Sequence, residues 1–314
     1  MAQTETTTKE HFLHQRRVGR RALILVLILT TAFMVAEVVG GVVTGSLALM
    51  ADAGHMANDA FSLSLALGAS IFSERRPTQR QSYGHYRAEV LAALVSGFAL
   101  ILVAAFVLYQ AAGRIGDAPE IRSGPMLAVA LVGLAVNLLA LFLLREVQHG
   151  SLNIKGAFLH VLGDLLSSVG VVTAAVIMWT TGFFLADAII SMLIAVAILF
   201  SAWRLLRQTT NVLMESVPEH IELEEVRSAL MRVPGVCEIH DLHVWTLTTG
   251  YEAMSAHVLV DDSKGDEDQY NNVLTALGET LKSSFNIDHT TIQLESAALQ
   301  RTGAGLEEDL LCDD

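Results

Sequence analysis

Six long apolar segments constrain the fold of this 314-residue chain more than any other feature. Each is close to the ~20 residues that an α-helix needs to cross the hydrocarbon core of a bilayer. In that core each segment must satisfy its own backbone hydrogen bonds, which favours helices. We therefore predict a polytopic α-helical membrane protein with six transmembrane helices. The segments span residues 22–44, 47–72, 88–112, 123–145, 155–180 and 184–206.

Two of these segments carry a histidine and an aspartate four residues apart. His55 and Asp59 lie in the second segment, and His160 and Asp164 lie in the fifth. Residues i and i+4 share one helix face, so each pair can direct an imidazole and a carboxylate towards one point. One such pair alone could be an interhelical hydrogen bond. Two pairs supply two nitrogen and two oxygen ligands, which suits tetrahedral Zn²⁺.

Further polar residues distinguish the segments from one another. They occur in the first, second, fourth and fifth segments, whereas the third and sixth are more uniformly apolar. Because polar groups inside a membrane tend to face the bundle interior, we expect those four segments to surround the site. The third and sixth segments would then pack outside them. The polar residues are Glu37, Asp52, Asn58, Asn137, Ser167 and Ser168.

The basic residues that flank the segments predict the orientation. Thirteen Lys and Arg residues lie on one side, in the N-terminal tail, the second-to-third and fourth-to-fifth connections and the end of the sixth segment. The other side has only Arg114 and Arg122. By the positive-inside rule, both termini should be cytoplasmic. We assign residues 1–21 to a cytoplasmic tail and residues 22–207 to the transmembrane domain.

The composition changes after residue 207. From Leu213 to the end there are 21 acidic residues and 5 basic residues. An acidic surface of this kind attracts cations and argues against a nucleic-acid partner. A helical pattern over 219–233, alternating runs at 236–248 and 252–261, a second helix at 266–285 and a last strand at 290–295 follow one another. This order predicts a ferredoxin-like α+β cytoplasmic domain over 208–296, followed by a flexible acidic tail at 297–314.

With these features in place, the chain resembles the cation diffusion facilitator family, in its zinc-exporting branch. The resemblance covers residues 20–296. It implies a homodimer that exports divalent metal in exchange for protons, with His55, Asp59, His160 and Asp164 as the transport site. The motifs that carry it are S-L-A-L-M-A-D-A-G-H-M-A-N-D (46–59), Y-G-H-Y-R-A-E-V-L-A-A-L (83–94), A-F-L-H-V-L-G-D-L-L-S-S (157–168) and H-D-L-H-V-W-T-L-T-T-G-Y-E-A-M-S-A-H-V (240–258).

The ligand types indicate which metal is carried. Two imidazoles with two carboxylates suit Zn²⁺, whereas a site made only of carboxylates would suit Mn²⁺ better. We therefore expect Zn²⁺ as substrate and as a candidate regulatory ligand, with no organic cofactor. A broader exporter of Cd²⁺, Co²⁺ and Zn²⁺ is the nearest alternative, because affinity separates neighbouring metals poorly.

The resemblance also implies a second metal site, in the cytoplasmic domain at or near the dimer contact. Its ligands would be His240, His257 and Glu295. Other family ligands correspond to Gln293 and to a position near Tyr270, which are poor replacements. His243, His289 and Cys312 could substitute for them.

Two further family features fall in and after the second-to-third connection. A loop metal site would use Thr78, Gln81 and His85, where two ligands are missing, so we expect no stable metal and a hydrogen-bonding role for His85. Relatives also pair a basic residue at the start of the third segment with an acidic residue after the sixth. The matching residues are Arg87 and Glu215, which we expect to form an ion pair linking the membrane and cytoplasmic parts.

The ligand chemistry predicts exchange of metal against protons. Two ionised carboxylates near the centre of a bilayer repel each other and are poorly solvated, so the empty site is expected to hold protons. Zn²⁺ needs deprotonated ligands and therefore expels protons when it binds. Alternating access would expose the site to each side in turn. The residues predict exchange, and only the resemblance gives its direction.

Two other classes of function fit the sequence less well than transport. An intramembrane zinc hydrolase needs an open coordination position and a general base, and no H-E-x-x-H motif is present. A membrane zinc sensor would not need ligands at bilayer depth. We therefore expect a transporter and not an enzyme, with metal ions, protons, the lipid bilayer and a second copy of the chain as partners. Short connections without a long His-rich loop favour a bacterial inner membrane.

Overall fold

The computed structural model describes residues 24–73, 78–145, 152–248, 250–261 and 267–296. Within it the chain divides into two compact units. The first contains residues 1–65 and 95–206, and the second contains residues 66–94 and 207–314. The predicted tails at 1–21 and 297–314 lie outside the described residues.

Six long helices come first, and five of those described are long and apolar enough to cross a membrane. These five are α1, α3, α4, α5 and α6. α2 is equally long but falls outside this set, since Asp52, His55 and Asp59 lower its hydropathy. The helices are α1 (Ile24–Thr44), α2 (Leu47–Ser73), α3 (Arg87–Gly113), α4 (Ser123–Arg145), α5 (Leu152–Thr181) and α6 (Leu185–Leu213).

One face of the sixth helix is closely packed. In their most apolar stretches, 44% of α6 is buried but only 28% of α1 and of α4. Ala188, Ala195 and Ala202 recur every seven residues on α6, and all three are buried. Small side chains at that spacing let neighbouring helices approach closely, so this face of α6 is packed, whereas Leu193, Phe200 and Trp203 are exposed. The helix also carries a fully buried carboxylate, Asp187, which the description of this segment as uniformly apolar overlooked.

Small residues also bring α1 and α4 into close contact. A Cβ atom added to Gly133 would lie 2.3 Å from Cζ of Phe33. One added to Gly40 would lie 3.0 Å from Cγ2 of Val129. Both glycines are therefore required by close helix approach and not by backbone conformation. Gly45 is different, because its φ of +76° in the turn between α1 and α2 is one that glycine adopts without strain.

The C-terminal part of the second unit is a small α+β fold. It contains α7 (Leu223–Met231), β1 (Val236–Thr248), β2 (Tyr251–Val260), α8 (Glu267–Phe285) and β3 (His289–Ser296). β1 pairs antiparallel with β2, and β2 pairs parallel with β3. The element order agrees with the sequence analysis, although α7 begins four residues later than expected. The result is a three-stranded mixed sheet in the order β1-β2-β3.

The two short helices cover this sheet with the apolar faces that their periodicity predicts. Val226 and Leu230 of α7 and Leu277 and Leu281 of α8 are buried in one cluster with sheet residues such as Val258. A side chain of this size contributes about 1.5–3 kcal/mol when it is fully buried. The apolar cluster therefore holds the strands in register, and the register in turn fixes the positions of the polar residues on the sheet.

Candidate metal transport site

The two His-x-x-x-Asp pairs meet between α2 and α5 in the first unit. Nε2 of His160 lies 3.3 Å from Oδ2 of Asp59 and 3.7 Å from Oδ2 of Asp164. Nε2 of His55 lies 3.7 Å from Oδ2 of Asp59 and 3.9 Å from Oδ1 of Asp164. Each histidine is thus near both carboxylates, the one on its own helix and the one on the other helix. The structure brings all four predicted residues together.

These separations are close to those of a tetrahedral zinc site. Zinc bonds of about 2.0–2.1 Å to nitrogen and oxygen place the ligand atoms about 3.4 Å apart. The four observed distances, 3.3 to 3.9 Å, need to shorten by at most about half an ångström. Small side-chain rotations on two fixed helices can supply that change. The four His–Asp separations are therefore compatible with a shared ion, and ligand atoms of His55, Asp59 and Asp164 all lie within 4.8 Å of one another.

The burial of these groups is uneven. Asp164 is almost fully buried, whereas the side chains of Asp59 and His160 keep 30% and 48% of their exposure. Oδ2 of Asp59 and Nδ1 of His55 are themselves buried, and neither forms a hydrogen bond to the residues that the structure describes. A buried carboxylate oxygen that faces two imidazole nitrogens has the surroundings expected of a metal ligand.

A cavity of about 480 Å³ gives access to the site. It lies among α1, α2 and α5, and Asp59, His160 and Asp164 form part of its wall. Its other lining residues reach from Val26, near the start of α1, to Leu63 in α2. The cavity is far larger than a bare ion, so a hydrated cation has room to approach the two carboxylates.

Further buried polar groups lie beside the site in the same unit. Glu37 and Asp52 each keep only 2% of their exposure. The hydroxyl of Ser167 donates to Oδ1 of Asp52 at 2.6 Å, and Nδ2 of Asn137 donates to Oγ of Ser168 at 2.9 Å. These residues are the ones whose polarity the sequence analysis singled out. They add hydrogen-bonding groups to the elements that carry the candidate ligands.

A second cluster of candidate ligands lies on the three-stranded sheet. His240 and His257 are direct cross-strand partners in the register of β1 and β2. Glu295 is two residues beyond the β3 partner of His257 and therefore lies diagonally from it. Its carboxylate is 3.0 Å from Nδ1 of His257 and 3.4 Å from Nε2 of His240. The structure places all three predicted residues in one group, with Glu295 almost fully buried.

Asp241 adds a carboxylate to this cluster, whereas His289 makes aromatic contacts. Asp241, which the sequence analysis did not consider, lies 3.8 Å from His257 and 2.7 Å from His243. It occurs at an irregularity in β1 with a φ of 50°, which periodicity does not reveal. His289 instead packs against the rings of Tyr83 and Tyr251. Cys312 lies outside the described residues.

The loop positions form local contacts in place of a ligand set. The Thr78 hydroxyl donates to Oε1 of Gln81 at 2.5 Å, which closes a short turn. The ring of His85 packs edge-on against Phe72 with centroids 4.6 Å apart. Its Nδ1 is buried without a hydrogen bond to any described residue.

The predicted charge pair is also in contact. Arg87 Nη2 donates to Oε1 of Glu215, and both residues belong to the second unit. Glu215 follows α6 in a left-handed conformation, with a φ of 57°. The amide of Ser216 donates back to the Asn211 carbonyl at 3.0 Å, which is typical of a helix terminus. Both charged side chains are exposed, so the pair contributes only about 0–1 kcal/mol to stability.

Comparison with known proteins adds independent information. Residues 23–214 match the family "Cation efflux transmembrane domain". Residues 218–297 match the family "Cation efflux protein, cytoplasmic domain". The two matches together cover nearly all of the residues that the structure describes. The helical bundle therefore matches the transmembrane domain of cation efflux proteins, and the small sheet domain matches their cytoplasmic domain. The chain is an integral membrane protein.

Curated relatives match over nearly their whole length. The metal cation efflux system protein CzcD of Cupriavidus metallidurans is 42% identical over 286 residues, covering 91% of this chain and 90% of that protein. A cadmium, cobalt and zinc/H(+)-K(+) antiporter of Bacillus subtilis is 35% identical over 287 residues, covering 91% and 92%. The zinc transporter ZitB of Escherichia coli is 38% identical over 300 residues, covering 94% and 93%. The chain therefore belongs to the cation efflux family, the cation diffusion facilitators, as the sequence resemblance predicted.

Proposed function

We propose that the protein exports divalent metal, with Zn²⁺ as the preferred substrate, from the cytoplasm in exchange for protons. The observation that carries this proposal is that Nε2 of His55 and Nε2 of His160 each lie 3.3 to 3.9 Å from oxygens of both Asp59 and Asp164, between two long helices. Groups this costly to place in a membrane are retained for a function. The names of the relatives, which include zinc transporters and a metal–proton antiporter, support the same substrate class.

The ligand set favours zinc over harder ions. Two imidazole nitrogens and two carboxylate oxygens in near-tetrahedral separation suit Zn²⁺, whereas Mn²⁺ and Mg²⁺ prefer oxygen-rich octahedral sites. Cd²⁺ and Co²⁺ accept the same ligands, so a broader spectrum that includes them is the alternative. Four protein ligands would complete the zinc shell and leave no open position for a catalytic water, which argues against hydrolysis.

Charge balance explains why metal and protons should exclude each other. Zn²⁺ with two aspartates is formally neutral, so the loaded site avoids the cost of a net charge inside the bilayer. The empty site keeps two carboxylates and must be neutralised in another way, by protons on the carboxylates or the histidines. Metal binding displaces those protons because every ligand must be deprotonated. One site therefore holds either metal or protons, which is the requirement for exchange.

The cavity beside the site supports a route of entry. It runs from the level of Asp164 towards Val26, at the start of α1. We propose that six helices span the membrane, α2 included, with both termini in the cytoplasm, so that this cavity opens to the cytoplasm. Reaction of the exposed Cys237 with a membrane-impermeant reagent in intact cells measures the orientation. Labelling from outside would contradict it.

Zinc flux in reconstituted vesicles tests the function directly. We expect the purified protein in proteoliposomes to take up Zn²⁺ when the vesicle interior is acidic, and to acidify a weakly buffered exterior as zinc enters. Vesicles without a pH gradient should take up much less. Zinc uptake that is indifferent to the gradient would contradict proton exchange, and the absence of any divalent metal uptake would contradict transport.

We propose that His240, His257 and Glu295 form a regulatory zinc site, with Asp241 as the nearest additional ligand. Glu295 is buried between the two imidazoles, and Nε2 of Gln293 donates to its Oε1 at 2.8 Å. Glu295→Gln should remove one high-affinity zinc ion per chain, because the amide lacks the anionic ligand. Equilibrium dialysis of the full-length protein measures this, with Glu279→Gln on α8 as the matched control. An unchanged zinc stoichiometry would show that the cluster does not bind metal.

We propose that the contact between Arg87 and Glu215 couples α3 to the cytoplasmic part. Because the pair is too exposed to contribute much stability, we expect it to hold the start of α3 against the residues that follow α6. Exchanging the charges, with Arg87→Glu and Glu215→Arg together, should restore zinc flux lost in either single variant. Failure to restore it would exclude the pair.

We also propose that the protein acts as a homodimer. A monomeric mass in light scattering would exclude the dimer.

The small sheet domain is proposed to be ferredoxin-like with one strand fewer. β2, α8 and β3 form a parallel crossover, and β1 extends the sheet antiparallel to β2. β2 and β3 are direct neighbours, so the strand that separates the parallel pair in a split β-α-β unit is the one that is missing. The proposed boundaries remain residues 22–207 for the transmembrane domain and 208–296 for the cytoplasmic domain. An experimental structure with a different strand order would contradict this assignment.

A further inference from the structure

A buried carboxylate caps α2 from a different helix. Asp187 belongs to the first turn of α6 and is fully buried. Its Oδ1 accepts hydrogen bonds from the Ser46 hydroxyl at 2.6 Å and from the Ala48 amide at 3.1 Å, and its Oδ2 accepts one from the Leu47 amide at 2.7 Å. The first amides of a helix have no acceptor within the helix. Asp187 satisfies two of them, and its charge complements the positive end of the α2 dipole.

A third helix end joins the same carboxylate. Arg114, directly after α3, donates to Oδ2 of Asp187 at 3.0 Å and to the Gly45 carbonyl at 2.9 Å. Ser46 also accepts the Leu49 amide at 3.2 Å, so the capping residue of α2 is itself held in place. A single buried anion thus connects the start of α2, the end of α3 and the start of α6. These contacts all lie within the first unit.

The middle of α2 borders the open cavity. The metal ligand Asp59 and the lining residue Leu63 lie on the side of α2 that leads to the cavity. Ser46 lies more than two turns before His55 along the same helix. The conformation described here is therefore open on one side of the candidate ligands and fastened on the other, where α1 turns into α2.

We propose that Asp187 is a latch that holds the outer end of the metal path closed while the site faces the cytoplasm. The inference rests on the proposed function and orientation. For the metal to leave outwards, the start of α2 must separate from α6, and Asp187 must give up its bonds to Ser46, Leu47 and Ala48. Asp187 is thus a positioning residue that acts through α2 and does not bind the metal.

Cysteine accessibility tests the latch without any zinc measurement. The reporter is Leu47→Cys, at a buried position, in full-length protein that carries Cys237→Ser and Cys312→Ser. A membrane-impermeant maleimide is added outside intact cells. We expect Asp187→Asn to speed labelling by about tenfold or more, since one hydrogen bond to a charged group is worth roughly that factor. The matched control, Asp117→Asn, removes an exposed acid from the α3–α4 connection and should label at the parent rate.

Zinc kinetics provide a second readout that a purely structural role would not produce. If the latch is weakened, the cytoplasm-facing state becomes less populated, and the apparent affinity for cytoplasmic zinc falls by that fraction. Asp187→Asn should therefore raise the half-saturating zinc concentration several-fold. The half-saturating concentration of Asp117→Asn should stay at the parent value.

Smaller changes keep the test decisive if Asp187→Asn does not fold. Ser46→Ala and Arg114→Gln each remove one partner of Asp187 and should speed labelling in the same direction, by less. Equal labelling of the parent and all three variants would overturn the latch, even if zinc uptake were lost. Faster labelling in a protein that moves no divalent metal would retain the latch and overturn the proposed function instead.

Discussion

Replacing Asp164 with asparagine is expected to lower zinc uptake into proteoliposomes by at least about 100-fold. Even loss of an outer-shell partner costs about 10- to 100-fold in metal affinity, and Asp164 is proposed as a direct ligand. Asparagine keeps the volume of this nearly buried side chain but removes its charge. Zinc with one remaining carboxylate would leave a net positive charge in the membrane, which raises the cost of the loaded state.

The control for this change is Asp117→Asn, which neutralises an exposed carboxylate away from the quartet. Its zinc uptake should equal that of the parent. Thermal unfolding in detergent should show that the Asp164→Asn variant is folded, so that its loss of transport reflects the site. If the folded Asp164→Asn variant carried zinc at the parent rate, the path of the ion would have to lie elsewhere.

Changing the two histidines together should change the metal that is carried. His55→Asp with His160→Asp converts two nitrogen and two oxygen ligands into four oxygens. We expect zinc uptake to fall by at least about tenfold and manganese uptake to appear, because oxygen-only sites suit Mn²⁺. The exposure of His160 towards the cavity gives a new carboxylate access to water, which lessens the cost of the added charge. Competition between the two ions for uptake measures the shift.

The matched control is His55→Asn with His160→Asn, which removes both imidazoles without adding carboxylates. This variant should lose zinc uptake and gain no manganese uptake. Should the aspartate variant keep the zinc preference of the parent, the histidine nitrogens would not determine selectivity. Should both variants gain manganese equally, the size of the pocket would be the determinant.

The positions of the four candidate ligands could be predicted because they depend on local periodicity. Spacing of four residues on a helix fixes which side chains share a face, whatever the helix packs against. The requirement for internal hydrogen bonding in a membrane fixes the helices themselves. The grouping of His240 with His257 came from the family resemblance instead, because their pairing depends on irregularities in the register of β1 and β2. For these residues the tertiary structure supplied distances.

Other features depended on contacts between distant parts of the chain. Asp187 is 141 residues from Ser46, and no pattern in an apolar segment indicates which helix end a carboxylate will cap. Asp241 joined the cytoplasmic cluster through an irregular strand, which shifts side chains away from strict alternation. The cavity beside Asp59 likewise depends on how α1, α2 and α5 are placed, since residues of all three helices line it.

The apolar helices, the His–Asp quartet and the order of elements in the small domain could be predicted from the sequence. Each follows from short-range spacing and the cost of polar groups in lipid. Tertiary contacts were needed to show that Asp187 fastens α6 to the start of α2 and the end of α3, and on which side the quartet is open. Those outcomes depend on which small residues let helices approach and which buried charge finds its donors, and both are properties of packed neighbours rather than of sequence order.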